Sequence, residues 1–186
     1  GGAVWLDPEK KTPYEFYQFW INQDDRDVVK YLKYFTFLSK EEIDALAEKV
    51  KTEPWKRAAQ KALAREVTKF VHGEKAVEEA ERITAALFSG DVAQLSATEI
   101  EQGFKNMPSV EVANQKQNII LWLVDDTKIE PSRRQAREDV KNGAIRINGE
   151  QITDENAEID PSTHFDGKFV IVRKGKKRYW LARVKK

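Results

Sequence analysis

Apolar residues recur at three- and four-residue intervals through the first hundred positions and at alternate positions near the end of the chain. This pattern predicts helices in series, then a region mixing helix and strand. Thr12 is placed to cap a first helix with Pro13 at its first position. Tyr14, Phe16, Tyr17, Phe19, Trp20 and Ile21 make that helix so aromatic that most of it must be buried. Asp24 or Asp25 opens a second helix, with Val28, Val29, Leu32, Phe35 and Leu38 at helical spacing. Ser39 and Glu42 form a capping box for a third, which turns Ile43, Leu46 and Val50 inward. Pro54 opens a fourth, with Ala58, Ala62, Val67 and Phe70 inward and Gly73 at its end. A fifth from Glu74 carries Val77, Ala80, Ile83 and Leu87 toward the core and stops at Gly90. Ser96 and Glu99 box a short sixth helix that reaches Phe104.

Residues 105–117 are polar, contain Pro108 and keep neither period, so they are expected to be a linker. Beyond it, residues 119–124 form a short apolar helix, Pro131 and Ser132 start a basic one, and Gly143 ends it. Residues 144–147 alternate as a strand does, and Asn148-Gly149 is a hairpin-turn signal. Residues 169–172 and 179–184 give two further strands, joined across Lys174-Gly175-Lys176-Lys177. The expected plan is an all-α domain over residues 1–104, a linker over 105–117 and a small α+β domain over 118–186.

Composition narrows the chemistry. No run of about 18 apolar residues is present to span a membrane, and a cytoplasmic protein is the expectation. The chain has no cysteine, which excludes disulfides and thiolate nucleophiles. Its two histidines, His72 and His164, are far apart in sequence, so no metal site is expected. Gly175-Lys176 is followed by Lys177, and Val170 stands where a phosphate-binding loop needs its first glycine. The chain opens on Gly1-Gly2-Ala3-Val4-Trp5-Leu6 without methionine and is expected to be a piece of a longer protein.

The net charge of +1 conceals an asymmetry: residues 1–116 carry −3 and residues 117–186 carry +4. From residue 168 to the end, Lys168, Arg173, Lys174, Lys176, Lys177, Arg178, Arg183, Lys185 and Lys186 face no acidic residue. Such a cluster favours a polyanion, because phosphate neutralisation releases counterions. A solubilising tail is the rival reading, but Phe169, Val170, Ile171, Val172, Tyr179, Trp180 and Leu181 interleave the charges as strands do. On the helix after Ser132, Arg134 and Arg137 share a face and Lys141 follows four residues on, with Arg133 alongside. Arginines so arranged suit the bidentate grip of phosphates or stacking on unpaired bases. The candidate RNA contacts are therefore Arg133, Arg134, Arg137, Lys141, Arg173, Lys174, Lys176, Lys177 and Arg178. Ser132 reads as a cap, since no base is placed to activate it.

Residues 132–149, with Ser132-Arg133-Arg134-Gln135-Ala136-Arg137 and then Gly143-Ala144-Ile145-Arg146-Ile147-Asn148-Gly149, resemble the small RNA-binding module named after ribosomal protein S4. Trp5-Leu6-Asp7, Thr12-Pro13-Tyr14-Glu15-Phe16-Tyr17-Gln18-Phe19-Trp20-Ile21-Asn22, Val71-His72-Gly73-Glu74 and Leu87-Phe88-Ser89-Gly90 are similar to the C-terminal half of bacterial tyrosyl-tRNA synthetases. The resemblance implies a helical anticodon-binding domain, its first dozen residues a tail of the catalytic domain, followed by an S4-like domain. It implies that tyrosine tRNA is the partner, held at its anticodon stem and long variable arm. Arg134, Arg137, Arg173, Lys174, Lys176 and Lys177 match family positions for tRNA contact, and Asp24 falls near an acidic residue proposed to read an anticodon base. ATP, tyrosine and the homodimer contact would belong to a catalytic domain outside this chain, so no cofactor and no tyrosyl-adenylate formation are expected here. The rival readings are a free-standing S4-type or ribosome-associated RNA-binding factor, and an interaction module docking through the aromatic helix.

Overall fold

A computed structural model describes residues 12–186, which divide into two compact units at Thr84 and Ala85. Trp5-Leu6-Asp7 and the rest of the expected catalytic-domain tail before Thr12 lie outside the described residues. The division falls earlier than the expected linker, and residues 105–117 hold strands in place of a bare connection.

The first unit is helical. Helix α1 (Pro13–Ile21) starts on a capping box in which the Thr12 hydroxyl accepts the Glu15 N–H at 3.1 Å. Helix α2 (Val28–Phe35) begins three residues after the expected Asp25, because Asp24 first makes a turn: its carbonyl accepts the N–H groups of Asp27 and Val28. Helix α3 (Lys40–Thr52) carries the predicted Ser39–Glu42 box, and helix α4 (Ala58–His72) follows a short 3₁₀ turn, Pro54–Lys56, and a left-handed Arg57. Helix α5 (Glu74–Ser89) brings Val77, Ala80 and Ile83 inward as expected. Phe16, Tyr17 and Trp20 of α1 are buried with Val28, Leu32, Leu63, Ala64 and Val67, each large side chain contributing about 1.5–3 kcal/mol. Burial pushes the Tyr14 and Tyr17 phenols up to about 12. The aromatic helix is thus core and not a docking face. Two apolar positions depart from the helical reading: Phe35 and Phe70 are exposed, and α4 turns Ala59, Gln60, Leu63 and Ala64 inward in place of Ala58 and Phe70.

The second unit is α+β. After the 3₁₀ turn Val92–Gln94, the Ser96–Glu99 box starts helix α6 (Ala97–Gly103). Strand β1 (Ser109–Val112) then pairs in parallel with β7 (Arg178–Val184), which pairs antiparallel with β6 (Phe169–Lys174). Strands β3 (Ile145–Ile147) and β4 (Glu150–Gln151) complete a sheet of order β1-β7-β6-β3-β4. Strands β2 (Gln117–Asn118) and β5 (Glu158–Ile159) form a separate two-stranded ladder. Asn118 then accepts the N–H groups of Ile120 and Leu121, capping helix α7 (Ile119–Leu121), which runs into a π-helical turn, Trp122–Asp126. Ser132 caps the basic helix α8 (Arg133–Lys141) by accepting the Gln135 N–H at 3.1 Å.

Alternation sends the two faces of the sheet into different cores. Ile145, Ile147, Val170, Val172 and Ala182 pack with Ile119, Ile120, Trp122, Leu123, Ala136 and Val140, so the apolar helix is packing, as its composition predicts. On the other face the Tyr179 ring meets Phe104 edge-on at 5.7 Å, and its hydroxyl donates to the Leu87 carbonyl at 3.0 Å. The β3–β4 hairpin turns on Asn148 (φ +51°) and Gly149 (φ +86°), the paired left-handed residues that an Asn-Gly signal demands. Asn148 is buried, and its side-chain oxygen accepts the Ile171 N–H at 2.8 Å, so this turn is stitched to β6.

A buried charge cluster joins α8 to β6. Lys174 Nζ lies 2.9 Å from Glu130 Oε1 and 3.2 Å from Asp139 Oδ2, with the Glu130 side chain fully buried. Burial pushes the Glu130 carboxyl above its ordinary range, against the opposing hydrogen bond from Lys174. Asp139 is also penalised by burial, yet hydrogen bonds with Glu130, Gln135 and Lys174 bring it below the usual carboxylate range. Burial likewise pulls the Lys174 ammonium down, and its bonds to the two carboxylates carry it above its ordinary value.

Gly149→Ala places a Cβ at φ +86° and 3.0 Å from the Gly90 carbonyl oxygen, and is expected to cost about 1–3 kcal/mol in urea unfolding. Lys174→Ala leaves Glu130 without its cation. It is expected to destabilise by about 2 kcal/mol, below the ~3–5 of a fully enclosed pair, since the Lys174 side chain keeps 23% exposure. A raised carboxyl favours the fold when protonated and loses that contribution as pH rises through its folded-state value. The Lys174→Ala penalty should therefore be largest near neutral pH and shrink as pH falls through the elevated Glu130 range, read as the wild-type minus variant difference in unfolding free energy.

Candidate nucleic-acid interface

The basic helix and the basic turn are neighbours in the second unit. The Gly175 N–H donates to the Ala144 carbonyl at 2.9 Å, and Lys174 reaches Asp139 on α8. This seats the turn Gly175-Lys176-Lys177 beside the end of the basic helix. Helix α8 buries Ala136 and Val140, which leaves Arg134, Arg137 and Lys141 on its outer face. The three-residue turn is shaped from within: Arg173 Nε donates to the Lys176 carbonyl at 3.1 Å, and the Arg173 guanidinium lies 5.6 Å from the Tyr179 ring. Gly175, at φ +68°, supplies the left-handed residue.

The candidate contacts separate into three states. Arg134, Arg137, Lys176 and Lys177 are exposed and form no ion pair with a described residue. Arg133, Lys141 and Arg178 are exposed but engaged: Arg133 with Asp125 at 2.9 Å, Lys141 with Glu155 at 3.5 Å, and Arg178 over the Trp180 ring at 4.8 Å. Exposed pairs of this kind are worth about 0–1 kcal/mol and exchange readily for a phosphate. Arg173 and Lys174 are half-buried, Arg173 holding its own turn and Lys174 committed to Glu130 and Asp139. Lys174, expected as an RNA contact, is held by Glu130 and Asp139 with 23% of its side chain exposed, so a ligand would reach it in exchange for those carboxylates.

The run of cations that begins at Lys168 does not form one surface. Strand pairing puts Arg173, Lys174, Lys176, Lys177 and Arg178 at the turn end of the β6–β7 hairpin and Lys168, Arg183, Lys185 and Lys186 at the other. At that far end Arg183 makes a two-pronged pair with Glu101, at 2.9 and 3.2 Å. One further cation belongs with the turn. Arg146 stands beside Arg173 in the β3–β6 register, its Nη1 3.4 Å from the Gly149 carbonyl. The alternation of residues 144–147 already signals it, by placing Arg146 opposite Ile145 and Ile147.

In the first unit, Asp24 is exposed on the loop between α1 and α2 and pairs with Arg26 at 3.1 Å. The Arg26 hydrogen bond holds its carboxyl below the usual range. Arg57 fastens this loop by donating to the Ile21 and Gln23 carbonyls at 2.7 and 2.9 Å, and buried Gln60 donates to Asp25 Oδ1 at 2.7 Å. His72 closes α4 with its ring 5.0 Å from Phe16, and burial lowers its basicity. Among the described residues no helix is long and apolar enough to cross a membrane.

Two family models match the chain: class I tRNA synthetases (W and Y) over residues 1–89, and the tyrosine–tRNA ligase SYY-like C-terminal domain over residues 99–182. A tyrosine–tRNA ligase of Limosilactobacillus reuteri is 78% identical over 185 residues, covering 100% of this chain and 44% of that protein. That of Lactiplantibacillus plantarum is 76% identical with the same coverage. A solved tyrosyl-tRNA synthetase C-terminal domain is 47% identical with a TM-score of 0.43, covering 54% of this chain and 100% of its own. The chain spans less than half the length of the curated relatives it matches. The family models cover both the helical unit and the unit that carries the basic helix and turn, and on these matches the chain belongs to the bacterial tyrosyl-tRNA synthetase family, corresponding to its C-terminal part.

Proposed function

We propose that this chain is the tRNA-holding part of a tyrosine–tRNA ligase, gripping tyrosine tRNA while the rest of the polypeptide attaches tyrosine at the expense of ATP. The observation that carries the reading is the junction of Gly175 with Ala144, which seats Lys176 and Lys177 beside a helix whose Arg134 and Arg137 have no acidic partner among the described residues. Four unpaired cations on two abutting elements suit a folded phosphate backbone better than a solvated surface. Arg133, Lys141 and Arg178 join them by exchanging weak exposed contacts, and Arg173 with Arg146 backs the turn.

On this reading the S4-like second unit takes the anticodon stem and long variable arm. The helical unit faces the anticodon, with Asp24 offering an acceptor from a loop fastened by Arg57 and Gln60. ATP, tyrosine and the dimer contact fall to the half of the relatives that this chain does not match, and the setting is the cytoplasm. A free-standing S4-type factor is less well supported, since 78% identity runs through the helical unit as well.

Binding to tyrosine tRNA should fall steeply with salt, each duplex phosphate contact adding about −0.9 to the log-log slope. Arg134→Ala with Arg137→Ala should weaken it by about 1–3 kcal/mol in fluorescence anisotropy and flatten that slope. Its thermal midpoint should barely move, because these side chains are exposed and unpaired. Equal affinity for a tRNA without the long variable arm would sink the proposal.

A further inference from the structure

Glu130 stands in the loop before α8 with its side chain fully enclosed, and its N–H donates to the Leu123 carbonyl at 3.0 Å. Lys174, the last residue of β6, is the one cation paired with it among the described residues, at 2.9 Å, and the same ammonium lies 3.2 Å from Asp139 on α8. Two carboxylates thus share one ammonium directly before the turn Gly175-Lys176-Lys177. Asp139 has a second partner, since Gln135 Nε2 donates to its Oδ1 at 3.0 Å, whereas Glu130 depends on Lys174 for its cation.

Stability alone does not account for this arrangement. Enclosing an acid and a base costs about as much as their attraction returns, and apolar residues of similar size commonly replace such a pair without loss. What the arrangement does decide is which cations the turn offers. Lys174 stands opposite Arg178 in the β6–β7 register, where like charges repel, and Arg178 is turned onto the Trp180 ring. Lys174 is drawn instead to Glu130 and Asp139, and its charge is spent there. Moving its ammonium out to a phosphate would leave the enclosed Glu130 carboxyl beside Asp139 with no cation, at a greater cost than an exposed charge contact returns.

We propose that Glu130 limits the affinity of the RNA grip: with Asp139 it withholds Lys174 from the phosphate backbone, so that the turn presents Lys176 and Lys177 while the cation next to them stays neutralised. Glu130 is a positioning residue on this view, acting on RNA through Lys174. The inference rests on the tRNA-holding reading above. A ligase has to let go of each tRNA it has charged, and one phosphate contact fewer favours release.

Binding of tyrosine tRNA to the full-length protein, measured across a salt series by fluorescence anisotropy, tests this with three proteins: wild type, Glu130→Gln, and Glu130→Gln combined with Lys174→Met. The single variant should bind several-fold more tightly at low salt, and its log-log slope should steepen by about 0.9, the value of one further duplex phosphate contact. Adding Lys174→Met should return the slope to that of wild type. A purely structural Glu130 gives the opposite sign, a lower thermal midpoint with weaker binding, and overturns the inference. So does an unchanged slope in Glu130→Gln, or a double variant with a flatter slope than wild type, which would mean that Lys174 already reaches the RNA. Where the buried amide unfolds the unit, Glu130→Met, which needs no hydrogen-bond partner, takes its place in the same comparison. A wild-type protein that binds tyrosine tRNA without salt dependence, or not at all, overturns the tRNA-holding reading itself and this inference with it.

Discussion

The sheet of the second unit is covered on both faces, and that constraint decides where its charge can go. Ile145, Ile147, Val170 and Val172 point into the core beneath α7 and α8, while Tyr179 points to the opposite side, against Phe104 and Leu87. A cation in the middle of β6 or β7 would have to be buried, at a cost of several kcal/mol unless paired. The arginines and lysines of β6 and β7 are accordingly driven to the strand ends, at the Gly175–Lys177 turn and around Lys168 and Lys185. Lys174 sits just inside that limit and is stabilised there by Glu130 and Asp139. The basic surface is in this sense a product of a well-covered sheet, since the faces that stay dry leave the turn as the place for charge.

What was legible in the sequence follows how local each signal is. The capping boxes at Thr12, Ser39 and Ser96, the Ser132 cap and the Asn148-Gly149 turn are decided within four residues and are found where expected. Strand β1 pairs in parallel with a strand about seventy residues away, and the two-residue ladder β2–β5 spans forty, so neither leaves a short-range trace. Residues 105–117 consequently read as a linker. Periodicity also overreached at Phe35 and Phe70, because spacing places a residue on a face but does not say where the bundle ends.

The candidate site was legible in outline and not in allocation. Composition gathers nine cations into one segment, whereas pairing divides them between two ends of a hairpin. Sequence spacing finds the outer face of α8 correctly, since Ala136 and Val140 define the inner one. It does not show that Arg173 holds its own turn or that Lys174 serves the core, because both depend on partners brought from elsewhere in the chain. Asp24 illustrates the same limit in the first unit, where the distant residues Arg57 and Gln60 fasten the loop that presents it.

The Arg178 guanidinium rests 4.8 Å from the centre of the Trp180 ring, on the strand that leaves the basic turn. A cation over an exposed aromatic face is held by about 0.5–1 kcal/mol, enough to orient the guanidinium without fixing it. Trp180 is only half-buried and keeps contact with solvent. The stacked pair therefore keeps a cation and an aromatic face together where β7 leaves the turn, each partly covering the other.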